Sequence, residues 1–393
     1  MTKSNKTTPN VPTLRFPEFM EEWRRFALSE FVTRISRKNK NNESSLPLTI
    51  SAQYGLVDQI TFFNKTIASI DLSGYYLLYN GDFAYNKSYS NDYAWGAVKR
   101  LDKYEKGCLS SLYFVFRPTD KVDSDYLTHY FETSKWHHGI SAIAGEGARN
   151  HGLLNMAVED YFATKHYLPS LSEQKKLSRF LNLITNRIET QNKIISKYET
   201  LIKGIRHRIF KSNKGGERKT LGSFLEEYSE KNTANNLQSV AVGKYGIRKR
   251  EDIYSKELSA DYSKNKVISQ NTLVIGMGSS QIDIGILVED EKYCVSPAYS
   301  TYRIKGINSL YLQEYLIELN SLLSTRYMIT SARQGKAVNK TDLMHHVLIV
   351  HSLNQQEKLC MYLKLIYRRL QMEKEMLSAI QKQKTFLLQS MFI

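Results

Sequence analysis

Apolar positions along this chain keep two rhythms. Over residues 171–212, Leu177, Leu181, Ile184, Ile188, Gln191, Ile195, Tyr198, Ile202, Ile205 and Ile209 advance by four and three in alternation, and only Gln191 is polar. Over residues 353–393, Leu359, Leu363, Ile366, Leu370, Glu373, Leu377, Ile380, Lys384, Leu387 and Met391 repeat that rhythm, with Glu373 breaking polarity in mid-seam. So narrow a stripe is a coiled-coil seam rather than the broad face of a globular helix. Forty helical residues rise roughly 60 Å, and an isolated stripe of that length needs a partner stripe. The obvious partner is the other copy. Elsewhere the runs are short. "GYYLLYNGDFAYNKS", "CLSSLYFVFR", "NTLVIGMGSS", "IDIGILV" and "AYSTYRI" are aromatic or β-branched, bounded by Gly, Asn and Asp, and read as strands. "DSDYLTHYFETSKWHHGI" and "LYLQEYLIELNSLLSTRYMI" put apolar residues at helical spacing behind capping residues. Each half is then α+β, with helices packed on a modest, partly antiparallel sheet.

The chain writes one helix opening twice, "LSEQKKLSRFLNLI" from Leu171 and "LNQQEKLCMYLKLI" from Leu353, an offset of 182 residues. Leu171, Gln174, Leu177, Leu181, Ile184, Arg187 and Phe210 recur as Leu353, Gln356, Leu359, Leu363, Ile366, Arg369 and Phe392, and about ten of some forty positions are identical. The stretches ahead match too. "QYGL" answers "KYGI"; Cys108, Ser110, Tyr113 and Arg117 answer Cys294, Ser296, Tyr299 and Arg303; "DYLTHYF" answers "LYLQEYL". The repeated unit is a domain plus a helix: a domain over 1–170, a helix over 171–212, a domain over 213–352 and a helix over 353–393, with the polar hinge "SNKGGER" between the halves. The second domain starts just after Phe210 and finishes just before Leu353. A compact domain returning the chain to its point of departure makes the helices antiparallel, with the halves related by an approximate two-fold. Leu177 should lie beside the far end of the second helix, not beside Leu359.

Composition narrows the class. The 393 residues leave room for two domains with real cores. Lys plus Arg number 55 against 39 Asp plus Glu, a formal charge of +16 that favours a polyanion such as nucleic acid. Cys108, Cys294 and Cys360 are scattered and form no C-x-x-C, which points away from zinc or a disulfide framework and toward a reducing cytoplasm. "MTKSNKTTPN" has no apolar core and no run of some eighteen apolar residues occurs, so neither secretion nor membrane spanning is expected.

Catalytic patterns are missing. The seven prolines are isolated, which excludes the Asp/Asn-Pro-Pro-Tyr/Phe tetrapeptide of amino-group methyltransferases, and there is no G-x-x-x-x-G-K-[ST] loop. His137 with His138, and His345 with His346, are adjacent pairs that face different ways on a helix and make poor metal sites. "GMGSS" and "GEGARN" read as glycine turns before they read as phosphate cradles.

Taken together, the opening "VPTLRFPEF…W", "GDFAYNKS" after a strand, "GARNHGLLNMAVEDYF" leading into "LPSLSEQKKL", and the terminal "LLQSMFI" resemble the specificity subunit of Type I restriction-modification systems over nearly the whole chain. The paired "PSL-x-EQ" helix openings carry most of the likeness; the second reads "VHSLNQQ", with His351 where the first has Pro169. The resemblance implies a non-catalytic, cytoplasmic bacterial protein. Two similar mixed α/β target recognition domains, each for one half of a bipartite double-stranded DNA site, would be joined by two long antiparallel coiled-coil helices that set the spacing. Those helices would dock two methyltransferase subunits that methylate adenine N6. No cofactor would be held by this chain: S-adenosylmethionine would belong to the methyltransferases, ATP and Mg to the restriction subunits that translocate and cleave. A free-standing two-headed DNA-binding regulator, or a coiled-coil scaffold with incidental charge, would show much of the same sequence pattern.

Within that reading, DNA contacts are expected from loops that follow strands and precede the long helices. Lys87, Ser88, Asn91, Arg149, Asn150 and His151 are the candidates in the first domain, and Ser279, Ser280, Gln281, Arg333, Gln334 and Lys336 in the second. Arg, Asn and Gln pair bidentately with purine edges, and Lys suits phosphate. Leu183, Ile194, Leu201, Leu365, Met372 and Met376 fall outside the seam and are expected to form partner interfaces.

Overall fold

A computed structural model describes residues 10–64, 71–89, 93–144, 152–211, 215–243, 246–250, 253, 261–276, 278, 280–331 and 335–393. The chain forms two compact units, Met1–Asn192 with Glu375–Ile393, and Lys193–Lys374.

In the first unit a four-stranded antiparallel sheet runs in the order Val32–Arg34, Phe114–Pro118, Phe83–Asn86, Ala97–Arg100. Successive side chains on a strand point to opposite faces. Phe83 and Tyr85 therefore join Phe116, Trp136 and Tyr161 in the main core, while Ala84 joins Leu78, Leu109 and Val115 in a second cluster. Burial on both faces explains why "FAY" reads as a continuous apolar run rather than an alternating one. The helical stretch expected from Asp123 to Ile140 is two helices, Ser124–Tyr130 and His137–Ile143. Between them Thr133 Oγ1 donates to the Tyr130 carbonyl at 2.7 Å and the Trp136 indole donates to the Phe131 carbonyl at 3.2 Å. These side chains take carbonyls that a continuing helix would use.

The second unit repeats the plan. Its sheet runs Leu225–Tyr228, Ser300–Ile304, Thr272–Gly276, Asp283–Leu287, again antiparallel. Leu273 and Ile275 face one core and Val274 the other. The pair Arg24–Ala27 with Lys165–Leu168 is answered by Glu217–Thr220 with Val347–Val350, and Leu48–Ser51 with Gly55–Asp58 by Val240–Gly243 with Gly246–Lys249. Instead of partly antiparallel sheets, every named strand pair is antiparallel; among the described residues parallel contact is confined to isolated bridges at Pro47 to Cys108 and Ser239 to Cys294, which are themselves repeat equivalents. The second unit alone among the described residues adds a hairpin, Met328–Ser331 with Gly335–Val338, after its helix Ser309–Tyr327.

The long helices are Leu171–Lys211 and Leu353–Ser390. In the first unit Leu177 and Leu181, near the start of one, share a core with Leu387 and Met391 at the end of the other. In the second unit Phe210 shares a core with Cys360, and Lys374 pairs with Glu199 at 3.0 Å. The helices are thus antiparallel within each unit. Gln191 and Glu373 are buried as seam positions. Glu373 takes Arg369 at 2.6 Å, and the seam residue Lys384 turns to Glu132 at 2.8 Å.

One contact fixes each domain helix to the long helix beside it. Gln174, 1 % exposed, accepts from the Asp123 amide at 2.8 Å and donates to the Pro169 carbonyl at 2.9 Å. Gln356, also 1 % exposed, accepts from the Asn308 amide at 2.9 Å and donates to the His351 carbonyl at 2.7 Å. Asp123 and Asn308 are the N-caps of Ser124–Tyr130 and Ser309–Tyr327. The glutamine gives each cap the partner that a capping box would supply from within the helix. Because the neighbour contributes only its carbonyl, His351 serves in place of Pro169 without loss of the bond.

Candidate nucleic-acid interface

In the first unit the hairpin loop after Phe83–Asn86 is tied by its backbone to the segment that precedes the long helix. Leu154 N donates to the Lys87 carbonyl at 2.9 Å, Tyr89 N donates to the Gly152 carbonyl at 3.0 Å, and Ser88 bridges Leu153. Ser88 N also donates to Asn86 Oδ1 at 2.9 Å, which closes the turn. Lys87 and Ser88 therefore lie against the residues that directly follow His151. The Lys87 ammonium sits 4.9 Å over the Phe114 ring, a contact that holds it at the end of the two central strands. Asn91, Arg149, Asn150 and His151 lie outside the described residues.

In the second unit the loop between Thr272–Gly276 and Asp283–Leu287 is anchored to the end of the domain helix. Ile282 N donates to Ser324 Oγ at 2.9 Å, and Asn320 Nδ2 donates to the Ile282 carbonyl at 3.0 Å. Ser280 is exposed and Gln281 half-buried. A Cβ on Gly278 would meet the Gln281 carbonyl at 1.5 Å, so this glycine is needed for the turn itself. The anchoring helix continues into the hairpin that carries Lys336 opposite Thr330. Ser279, Arg333 and Gln334 lie outside the described residues. At the base of the loop is Asp283, which the sequence reading did not single out; burial pushes its carboxyl up to about 6. In both units, then, a hairpin loop of the main sheet is bound to the chain beside it, with Lys87 and Ser88 on one such loop and Ser280 and Gln281 on the other, while Lys336 lies on the separate hairpin after the domain helix.

Three of the four paired histidines have other contacts, and His138 is exposed. His137 packs its ring against Trp136, His346 Nδ1 meets Tyr327 OH at 2.8 Å, and His345 Nδ1 meets the Thr341 carbonyl at 2.8 Å. Among the described residues no group of three or more His, Cys, Asp or Glu is placed to hold a metal ion. No helix among them is long and apolar enough to cross a membrane.

On the long helices, residues outside the seam remain in water. Leu183 is 69 % exposed and its repeat equivalent Leu365 is 59 % exposed. Leu201, Met372 and Met376 are exposed as well, whereas Ile194, the equivalent of Met376, is half-buried. Lone exposed leucines are ordinary, but the same position left bare in both repeats is a paired feature.

No family model and no curated protein matches the chain. Among solved structures, the Type I restriction-modification system S subunit from M. genitalium aligns at a TM-score of 0.58 and 14 % identity, over 98 % of this chain and 99 % of that one. A chain from a structure addressing complex assembly and conformational transition of the type I R-M system aligns at 0.53 and 16 %, over 93 % and 96 %. With two mixed α/β units of one topology, joined by two long helices and matched from end to end, the chain has the fold of the Type I restriction-modification specificity subunits.

Proposed function

We infer that this chain is the DNA-reading subunit of a Type I restriction-modification complex, itself without catalytic activity. Each unit reads one half of a bipartite double-stranded site, and the long helices set the distance between the halves. They also dock two methyltransferase subunits, which carry S-adenosylmethionine and methylate adenine N6; ATP and Mg act in restriction subunits of the same cytoplasmic assembly. The observation that carries the reading is the duplication in three dimensions. One topology occurs twice, each copy locked to its helix by the same glutamine, Gln174 or Gln356. Two copies of one reading domain suit a site with two halves, and the paired exposure of Leu183 and Leu365 suits two copies of one partner. The formal charge of +16 supplies the phosphate attraction. Lys87, Ser88, Asn91, Arg149, Asn150 and His151 in the first unit, and Ser279, Ser280, Gln281, Arg333, Gln334 and Lys336 in the second, are the proposed contact positions. Methylation mapping of DNA from cells with and without this chain tests the reading: a bipartite motif methylated in both halves appears only with the chain. An unchanged methylation pattern, or methyl transfer by the purified chain alone, would overturn it.

A further inference from the structure

The strand Ala97–Arg100, the turn over 131–137 and the first unit's portions of the long helices border a cleft of about 720 Å³ lined by Lys99, Lys135 and Lys384, with Glu132 the one carboxylate among its described lining residues. Lys384 is committed to Glu132 at 2.8 Å. Lys99 and Lys135 make no ion pair among the described residues. Burial pushes the Lys99 ammonium below its usual range; Glu132 pulls it up and Lys384 pushes it down. Positive charge is thus in excess at a partly desolvated place, where it is unfavourable until an anion completes it.

The scaffold does not need these charges. In the register of the repeat, Lys384 corresponds to Ile202 and Glu132 to Ile317. Ile202 is buried and Ile317 half-buried, so the second unit makes the equivalent places apolar. A partly exposed ion pair such as Glu132–Lys384 contributes only about 0–1 kcal/mol, so keeping it in one repeat points to a role other than holding the fold. The cleft also borders the candidate interface: Tyr93, Gly96 and Lys99, which line it, belong to the hairpin whose loop starts at Lys87 and Ser88.

We propose that this cleft seats a backbone phosphate of the DNA held by the first unit, with Lys99 and Lys135 as the contacting ammonium groups and the Glu132–Lys384 pair fixing the third. The proposal rests on the DNA-reading function inferred above. A phosphate contact positions the duplex without reading bases, so its loss weakens all sequences alike.

The test uses the full chain with its co-expressed partner subunits and measures duplex affinity across a salt series. For Lys99→Gln with Lys135→Gln, the slope of log affinity against log salt becomes shallower by about 0.9, the value for one phosphate. The fractional loss is the same on the specific site and on random duplex, and Lys99→Arg with Lys135→Arg restores the slope. Glu132→Ile with Lys384→Ile, which installs the second unit's residues, leaves the first unit folded. Unfolding of that variant would make the cluster a structural element and overturn the proposal. An unchanged slope in the glutamine variant, with the wild type binding its site, overturns the cleft assignment alone and fits an acidic protein partner instead. Absence of duplex binding by the wild type removes the DNA-reading function and the cleft assignment together.

Discussion

Replacing Gln174 by Ala removes two hydrogen bonds from a side chain that is 1 % exposed. The Asp123 amide, 2.8 Å from Gln174 Oε1, is left without that acceptor, and the Pro169 carbonyl loses its donor at 2.9 Å. A buried, unsatisfied amide costs about 1–3 kcal/mol and an ordinary lost bond about 0.5–1.5 kcal/mol, so the expected destabilisation is about 2–4 kcal/mol. All three tryptophans, Trp23, Trp95 and Trp136, belong to the first unit, so their fluorescence during urea unfolding reports that unit directly. With a slope of about 2–3 kcal/mol/M, the midpoint should fall by roughly 1 M. Gln356→Ala should leave the tryptophan transition in place while raising hydrogen exchange at the Asn308 amide. Gln174→Glu separates this mechanism from a helix-dipole effect. A carboxylate in the first turn of a long helix is favoured by about 0.3–1 kcal/mol, yet here it puts an acceptor against the Pro169 carbonyl. It should destabilise at least as much as Ala. A Gln174→Ala shift below about 0.5 kcal/mol, or a Gln174→Glu chain more stable than wild type, would refute the reasoning.

Other consequences follow from the same geometry. Burial, and then Arg25, push His166 down to about 4 from 6.5, and its Nδ1 faces Tyr130 OH at 2.8 Å. The folded state therefore prefers neutral His166: its contribution is whole above about 6.5 and is lost as pH falls toward about 4, about 3 kcal/mol in all. Tryptophan-detected urea midpoints across that range should show the loss, and His166→Gln should flatten it. Leu183→Asp or Leu365→Asp should leave the fold intact, since both side chains are exposed, and halve the methyltransferase that co-purifies; the double variant should lose it. One heptad added to both long helices, near Gln191 and Glu373, keeps the seam and adds about 10.5 Å, or about three base pairs. The half-site sequences should stay while the preferred spacer grows, with weaker binding because the half-sites are also rotated; an unchanged spacer at full activity would show that something else sets the distance.

The long helices were legible because their seam is a one-dimensional signal: Leu177, Leu181, Gln191, Ile195 and Ile202 are buried where the three-four rhythm puts them. The central strands of the main sheets were legible for a similar reason, as burial on both faces makes "FAY" and "LVI" conspicuous in a polar chain, whereas Val32–Arg34, Ala97–Arg100 and Leu225–Tyr228 carry no such run and were not read as strands. The break between Tyr130 and His137 was not, because it depends on where the Thr133 hydroxyl and Trp136 indole point, and helical spacing runs through them unchanged. Gln174 and Gln356 were visible as an identity, but their task was hidden, since each partner lies on another element. Lys384 was read as an ordinary member of the seam; that it answers Glu132 emerges only when the domain is folded against the helix. The candidate loops were marked by their turn residues. Which side chains reach a base there is a matter of three-dimensional placement, which turn chemistry does not encode.

The central claim, that each unit reads its own half of a bipartite site, is tested most directly by methylation mapping with Arg333→Ala beside the wild type. Loss of a bidentate base contact should cost about 1–3 kcal/mol and relax specificity in one half-site only, with the other half and the spacer unchanged. Equal weakening of both halves, or relaxation of both, would contradict the division of labour between the two units.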